Sequence, residues 1–263
     1  MPEGDTVWRV ARNLQRALAG RVVKVDFRVP ALATALLEAE VVETVSRGKH
    51  LLTRFGSGDT LHTHLKMEGS WHLYRPGEKW RRPAHEARVV LKSPEWLAVG
   101  FSLGIVELVP TGTEDTVVGH LGPDLLGPDW DPDEAVRRLW ADPGREIAEA
   151  LLDQRNLAGI GNMYMSELCF LAGLHPRTPI AGSGDLRRIV DRAHSLLLAN
   201  RERAEQNTTG DLRHHQRHWV YRRIRNPCRR CGTMIKADQH GPVGQERASF
   251  WCPSCQPAPP ALS

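Results

Sequence analysis

Asp153-Gln154-Arg155-Asn156-Leu157-Ala158-Gly159-Ile160-Gly161-Asn162-Met163-Tyr164 is the stretch on which the reading of this chain turns. Two glycines spaced by one residue make a tight turn, and Asn162 opens an apolar run with helical spacing. A turn feeding a helix start aims backbone N–H groups and the positive end of the dipole at one point, which suits an anion. Gly159-x-Gly161 lacks the third glycine of a dinucleotide loop, and no phosphate-binding GKT or GKS occurs. Working outward, Asp133–Ala141, Ile147–Gln154, Asn162–Leu171 and Asp185–Gln206 read as four helices. The last carries an apolar face of Leu186, Ile189, Val190, Ala193, Leu196 and Leu197 and stops at Asn207–Gly210.

Upstream the pattern changes. Pro110, Gly112, Gly119, Gly122, Pro123, Gly127, Pro128 and Pro132 mark a boundary. Before it, Val22–Phe27, Val41–Val45, Leu51–Phe55, Thr60–Leu65, Trp71–Tyr74, Arg88–Leu91 and Trp96–Val109 are strand-like, in the spacing of a sandwich or barrel. Ala31–Glu40 is the exception, with helical propensity. Val7, Val10, Ala11, Leu14 and Leu18 predict a leading helix, with Asp5 or Thr6 as its cap and Gly20 as its stop. The expected organisation is residues 1–120, a helical domain over 121–210, a basic segment over 211–256 and a frayed tail at 257–263.

The 263 residues are 41% hydrophobic and 25% charged, an ordinary globular balance. The 23 glycines and 18 prolines have no collagen-like period. No apolar run approaches the roughly 20 residues that span a bilayer, and Met1-Pro2-Glu3-Gly4-Asp5 is no secretion signal. A cytoplasmic protein with no membrane partner is expected. The formal charge is +4, but residues 211–255 hold nine Lys or Arg against three acids, with His214, His215, His218 and His240 alongside. A basic end on a near-neutral body suggests a polyanion, although a solvated face would look the same.

Cys228-x2-Cys231 and Cys252-x2-Cys255, separated by 20 residues, have the spacing of one tetrahedral zinc site. Four thiolates leave no position for water, so one structural Zn2+ is expected. Cys169, inside an apolar helix, reads as core packing. A zinc deaminase would need His-x-Glu upstream of Pro227-Cys228-x2-Cys231, and none occurs; His-Glu-x-x-His is also missing. At the other end, removal of Met1 would leave Pro2 as a free secondary amine able to attack an electrophilic sugar carbon, with Glu3 beside it to move a proton.

Together, Pro2-Glu3-Gly4, Ser46-Arg47-Gly48-Lys49-His50, the Asp153–Tyr164 stretch and the cysteine pairs with Arg247-Ala248-Ser249-Phe250-Trp251-Cys252 resemble the formamidopyrimidine-DNA glycosylase/endonuclease VIII family. The resemblance covers the chain except its tail. It implies an α+β multidomain fold: an N-terminal β-sandwich with a leading helix, a helix-two-turn-helix domain and a C-terminal four-cysteine zinc finger. It implies Pro2 as the nucleophile at C1′ of a damaged nucleotide, Glu3 as its acid/base and Lys49 as the lysine that assists sugar opening and elimination. It makes Asn162 a phosphate-holding asparagine and Arg247 the zinc-finger arginine at the flipped nucleotide. Met67, in His64-Leu65-Lys66-Met67, resembles a wedge that fills the vacated stack; a core methionine on a strand is the other reading. Nucleotide extrusion costs a few kcal/mol, offset by such contacts.

Thr6 stands where the family commonly has Glu, and Arg222 where Gly is usual. Phe101-Ser102-Leu103-Gly104 lacks the Arg-Arg-Phe-Gly element of many 8-oxoguanine-removing members, and the segment before Cys228 is short. The last two features favour the endonuclease VIII branch and oxidised pyrimidines. The expected activity is therefore that of a bifunctional glycosylase/AP lyase acting by β,δ-elimination in base excision repair. Damaged DNA, duplex or single-stranded, is the expected partner of a monomeric, nucleoid-associated enzyme. The alternative is a catalytically degenerate, zinc-containing nucleic-acid-binding protein.

Overall fold

The computed structural model describes residues 2–32, 38–213, 215–240 and 247–259. His214 and the last four residues of the tail lie outside them. The chain divides into two compact units, the first ending at His120 and the second starting at Leu121.

The first unit opens with α1 (Gly4–Leu18), which buries Val7, Ala11, Leu14, Ala17 and Leu18 along one stripe. Its N-cap is Glu3, not Asp5 or Thr6: the helix starts earlier, placing Asp5 in the first turn, where its Oδ1 accepts the Thr6 N–H at 2.7 Å. Gly20, at φ 71°, takes the left-handed turn that leads out of the helix. Eight strands follow: β1 (Arg21–Phe27), β2 (Glu38–Arg47), β3 (His50–Phe55), β4 (Asp59–His64), β5 (Ser70–Tyr74), β6 (Ala87–Lys92), β7 (Leu97–Phe101) and β8 (Ile105–Pro110). They hydrogen-bond antiparallel in the order β5-β7-β6-β1-β2-β3-β4-β8. The sheet folds back on itself, since Trp71 on β5 donates its indole N–H to Thr63 on β4 at 3.3 Å. Leu51, Leu61, Val89, Leu91 and Trp71 then share one core with α1. Each fully buried large apolar side chain contributes about 1.5–3 kcal/mol. Gln15 on α1 accepts the Thr44 N–H at 2.5 Å, beside a bulge between Val41 and Glu43.

Two expectations fail here. Glu38–Glu40 are strand rather than helix, and residues 33–37 of the Ala31–Glu40 segment lie outside the described residues. Trp96–Val109 is two strands, broken at Ser102, whose φ is 46°. The break lets β7 pair with β5 and β6 while β8 pairs with β4. Gly104 sits so close to Lys66 that a Cβ would meet its Cγ at 2.1 Å.

The segment after β8 is tied back by Glu114, just before the short α2 (Asp115–Val118). Its carboxylate accepts a bidentate pair from Arg54 at 2.7 Å each and the Thr60 hydroxyl at 2.6 Å.

In the second unit, α3 (Pro132–Leu139) starts on an Asp131 cap. It is followed by α4 (Ile147–Leu152), α5 (Asn162–Ala172) and α6 (Leu186–Asn200). Leu151, Ile160, Tyr164, Leu168, Val190 and Leu197 are among the buried residues of their shared core. Helix α6 ends at Asn200, earlier than Gln206, because the buried Asn200 amide closes a loop. It donates to the Asn207 carbonyl at 2.9 Å and accepts the Asn207 N–H at 2.8 Å. The unit finishes with a hairpin of β9 (Lys236–His240) and β10 (Arg247–Trp251). No helix among the described residues is long and apolar enough to cross a membrane.

The Arg54 hydrogen bonds hold the Glu114 carboxyl below its usual range. A depressed carboxyl stabilises the fold above its unfolded pKa of about 4.3, and that contribution is lost as pH falls through the folded value. Glu114→Gln should therefore cost about 1–2 kcal/mol at pH 7. Urea titrations should show the gap from the native chain shrinking toward pH 3; an unchanged gap would contradict the assignment.

Candidate active site and metal centre

Pro2 directly precedes the helix, and Glu3, its N-cap, is 0% exposed. The chain start is thus held at the positive end of the α1 dipole. Lys49 occupies the two-residue turn between β2 and β3. Gly48, at φ 57°, supplies the left-handed position that a II′ hairpin needs first, and Arg47 pairs with His50 across it. Lys49 is therefore displayed at the tip of a rigid hairpin. Met67 lies in the turn after β4 and is 64% exposed, which rules out the core reading.

Beside the Lys49 hairpin is a histidine cluster that the sequence reading missed. His50 and His62 stack with ring centroids 5.0 Å apart, and the His50 and His64 rings meet edge-on at 4.9 Å. His120 meets His50 edge-on at 6.0 Å. Burial first, then neighbouring imidazoles and Lys66, lower the His50 pKa to about 3. His64 is lowered to about 4 by burial, then by Lys66 and Lys49. A period-two reading would have placed His62 and His64 on one face. Pairing of His50 with His64 needed the register, which sequence spacing does not supply.

In the second unit, Gln154 organises the turn before α5. Its amide donates to the Leu152 and Ile160 carbonyls at 2.7 and 3.0 Å and accepts the Gly159 N–H at 3.1 Å. Gly159 adopts φ 115°. Gly161 is the cap residue, so Asn162 is the first residue inside the helix and its side chain reaches elsewhere. Asn162 Nδ2 donates to the Ala248 carbonyl at 2.6 Å, and its Oδ1 is buried without a hydrogen-bond partner. Arg247, exposed at the start of β10, adjoins the carbonyl that Asn162 holds. Asn162 and Arg247 are thereby brought together, as are the four cysteines.

The Sγ atoms of Cys228, Cys231, Cys252 and Cys255 all lie within 4.8 Å of one another. Cys228–Cys255 and Cys231–Cys252 are 4.0 and 3.5 Å apart. Ligands 2.3 Å from a tetrahedral ion stand about 3.8 Å from each other, whereas a disulfide would be near 2.05 Å. The four thiols therefore fit one metal ion. Cys169 is fully buried in α5, and burial pushes its thiol up to about 12. That makes it inert packing rather than a ligand.

The family profile for the formamidopyrimidine-DNA glycosylase N-terminal domain matches residues 1–100, and that for the H2TH domain matches residues 121–208. The chain is 51% identical over 267 residues to a Streptomyces coelicolor protein named "Probable endonuclease 8 2", covering 98% of this chain and 95% of that one. It is 48% identical over 260 residues to the DNA-(apurinic or apyrimidinic site) lyase Nei2 of Mycolicibacterium smegmatis, covering 98% and 100%. The fold is similar to that of a Lactococcus lactis formamidopyrimidine-DNA glycosylase solved with DNA containing an AP site. The TM-score is 0.79 at 22% identity, over 97% of this chain and all of that one. The matches run through both units and the relatives align end to end, so the chain belongs to the formamidopyrimidine-DNA glycosylase/endonuclease VIII family.

Proposed function

We propose that this protein is a bifunctional DNA glycosylase and AP lyase of base excision repair, directed at oxidised bases, pyrimidines above all. The observation that carries the reading is the chain start: Pro2 joined to a fully buried Glu3 at the positive end of α1. Trimming of Met1 exposes the Pro2 amine. The helix dipole disfavours its ammonium form, which raises the neutral, nucleophilic fraction. The Pro2 nitrogen bonds to C1′ as the glycosidic bond breaks, and Glu3 moves the proton that the departing base and the ring oxygen require. Lys49, at its hairpin tip, assists opening of the sugar to the iminium. Loss of a C2′ proton then expels the 3′ phosphate, and a second elimination expels the 5′ phosphate, before water releases the amine.

Arg247 and Asn162 hold phosphate around the extruded nucleotide in this reading, and Met67 fills the gap it leaves. Asn162 has a second task, since its amide fixes the strand that presents Arg247. Cys228, Cys231, Cys252 and Cys255 hold one Zn2+, which staples the β9–β10 hairpin and takes no part in the chemistry. The enzyme acts on damaged DNA as a monomer in the cytoplasm, at the nucleoid. The missing arginine element at Phe101–Gly104 and the short 207–227 segment support the pyrimidine preference.

Borohydride should join the trimmed protein covalently to duplexes bearing an abasic site or thymine glycol, and less readily to 8-oxoguanine. Failure to cut or trap abasic DNA, with the N-terminus shown to be proline by mass spectrometry, would leave only nucleic-acid binding. Metal analysis should find one zinc per chain, and Cys252→Ser should lose it along with most duplex affinity while leaving the first unit folded. Full zinc content in that variant would remove Cys252 from the ligand set.

A further inference from the structure

Two turns of the first unit are tied together by one side chain that the chemistry above leaves unused. The turn after β4 runs from Leu65 to Gly69 and carries Met67 at its centre. The Gly69 N–H closes it by donating to the Leu65 carbonyl at 2.9 Å, and a Cβ on Gly69 would meet that oxygen at 2.4 Å. Lys66 takes a left-handed position within it, at φ 51°. The second turn, Phe101–Gly104, follows β7 and has no arginine of its own. One reaches it from the connection between β5 and β6. There the buried Tyr74 hydroxyl accepts the Arg81 N–H at 3.0 Å, and Trp80 meets Phe101 edge-on at 5.6 Å. Arg82 is thereby delivered to both turns. Its Nη1 donates to the Glu68 carbonyl at 2.8 Å and to the Ser70 hydroxyl at 3.0 Å, and its Nη2 donates to the Ser102 hydroxyl at 3.0 Å. Its Nε donates to the Glu86 carboxylate at 2.7 Å. The Glu86 carbonyl in turn accepts the Ser102 N–H at 2.8 Å.

We propose that Arg82 is a positioning residue that clamps the Leu65–Gly69 turn to the Phe101–Gly104 turn, so that Met67 stands ready to fill the stack an extruded nucleotide leaves. The proposal rests on the reading of Met67 given above. The carbonyl that Arg82 holds belongs to the residue directly after Met67. A planar guanidinium fork serves acceptors on several segments at once, which an ammonium on a flexible stem does not. All three nitrogens of Arg82 are engaged, and Glu86 balances its charge. Arg82 is therefore not a phosphate grip, and it acts through the turns it joins. A wedge on a loose turn has to be ordered as it enters the duplex, whereas a turn fixed beforehand spares that loss. The benefit is confined to stacked DNA, because a nucleotide that is already unpaired needs the least unstacking and leaves the smallest gap.

Two measurements test this. Arg82→Lys keeps a cation beside Glu86 but loses the fork, and Arg82→Gln combined with Glu86→Gln leaves no lone charge. In the protein alone, amide hydrogen exchange at Gly69 and Ser102 should quicken together in either variant, by roughly tenfold or more, with the melting temperature little changed. Native-like exchange at these amides overturns the clamp. On DNA, single-turnover cleavage of an abasic duplex at saturating enzyme should fall roughly 10–100-fold in Arg82→Lys, the scale of a misplaced group. Met67→Ala should fall similarly, and the Arg82→Lys/Met67→Ala double variant no further than the worse of the two, as for residues acting as one unit. The same strand with its abasic site in an unpaired bubble should lose much less in all three. Equal losses on both substrates, or losses that add in the double variant, overturn the proposal. Native-like duplex cleavage by Met67→Ala sinks the wedge reading instead, and absence of cleavage by the native protein sinks the activity reading. Hydrogen exchange reports on the clamp in both of those cases.

Discussion

One buried carboxylate holds the basic half of the molecule in order. Glu167, on α5, is 0% exposed. It accepts the Thr208 hydroxyl and the backbone N–H groups of Trp219, Val220 and Tyr221, the last three at 2.8 Å. Burying a carboxylate costs several kcal/mol unless donors replace its water. Four donors do so here, and in return three successive N–H groups of an irregular segment find a partner. The segment is thereby welded to the helix. Phe170, three residues further along α5, stacks on Trp219 at 5.5 Å, and the Arg230 guanidinium lies 4.5 Å over the Phe170 ring. At the start of the same helix Asn162 grips Ala248, and just beyond its end the Leu174 carbonyl accepts from Gln256 at 2.7 Å. Helix α5 thus sets the positions of both cysteine pairs and of the strand that bears Arg247.

This arrangement explains how a small four-cysteine module can present cations with little core of its own. Among the described residues its apolar cluster is Phe170, Val220, Cys228, Ile235 and Cys252, with Trp219, Phe250 and Cys255 packed around it. A cluster of that size would be marginal alone. Phe170, one of its members, is supplied by helix α5. The cysteine cluster and the helix therefore both bear on the β9–β10 pair.

The sequence made some of this visible and not the rest, for physical reasons. Elements with strong local signals, such as the period of α1 or the Gly48-Lys49 turn, were legible because neighbours in sequence determine them. The break at Ser102 was not, because Trp96–Val109 has unbroken β propensity, and only the change of partners from β5 and β6 to β4 divides it. The end of α6 was misplaced because the Asn200–Asn207 pairing is a side-chain closure that helix propensity cannot report. Among candidate site residues, the clustering of the four cysteines was legible from residue type and spacing. The Asn162 hydrogen bond to Ala248, beside Arg247, joins positions 86 residues apart, and the histidine cluster draws on β3, β4 and the segment after α2. Such contacts exist only once the fold does.

Two side-chain clusters, one in each unit, handle positive charge in opposite ways. In the first, histidines that could be charged are kept neutral by burial, so the cation displayed there is lysine. In the second, charge is kept. Arg223 donates to the Trp219 and Pro227 carbonyls, and Arg229 to the carbonyls of His218 and His215. These bonds fix the guanidinium planes without cancelling their charge. Burial, and after it the nearby Arg229, lower the Arg223 pKa. Guanidinium cannot lose its proton near neutral pH, so these cations persist. Polyphosphate is the ligand that such a surface is built to attract, with a strength that falls as salt rises. Imidazole suits the opposite need, since its charge can be suppressed and its two nitrogens given fixed, different roles. Burial thus silences the imidazoles beside the Lys49 hairpin, while bonds to carbonyls hold Arg223 and Arg229 charged.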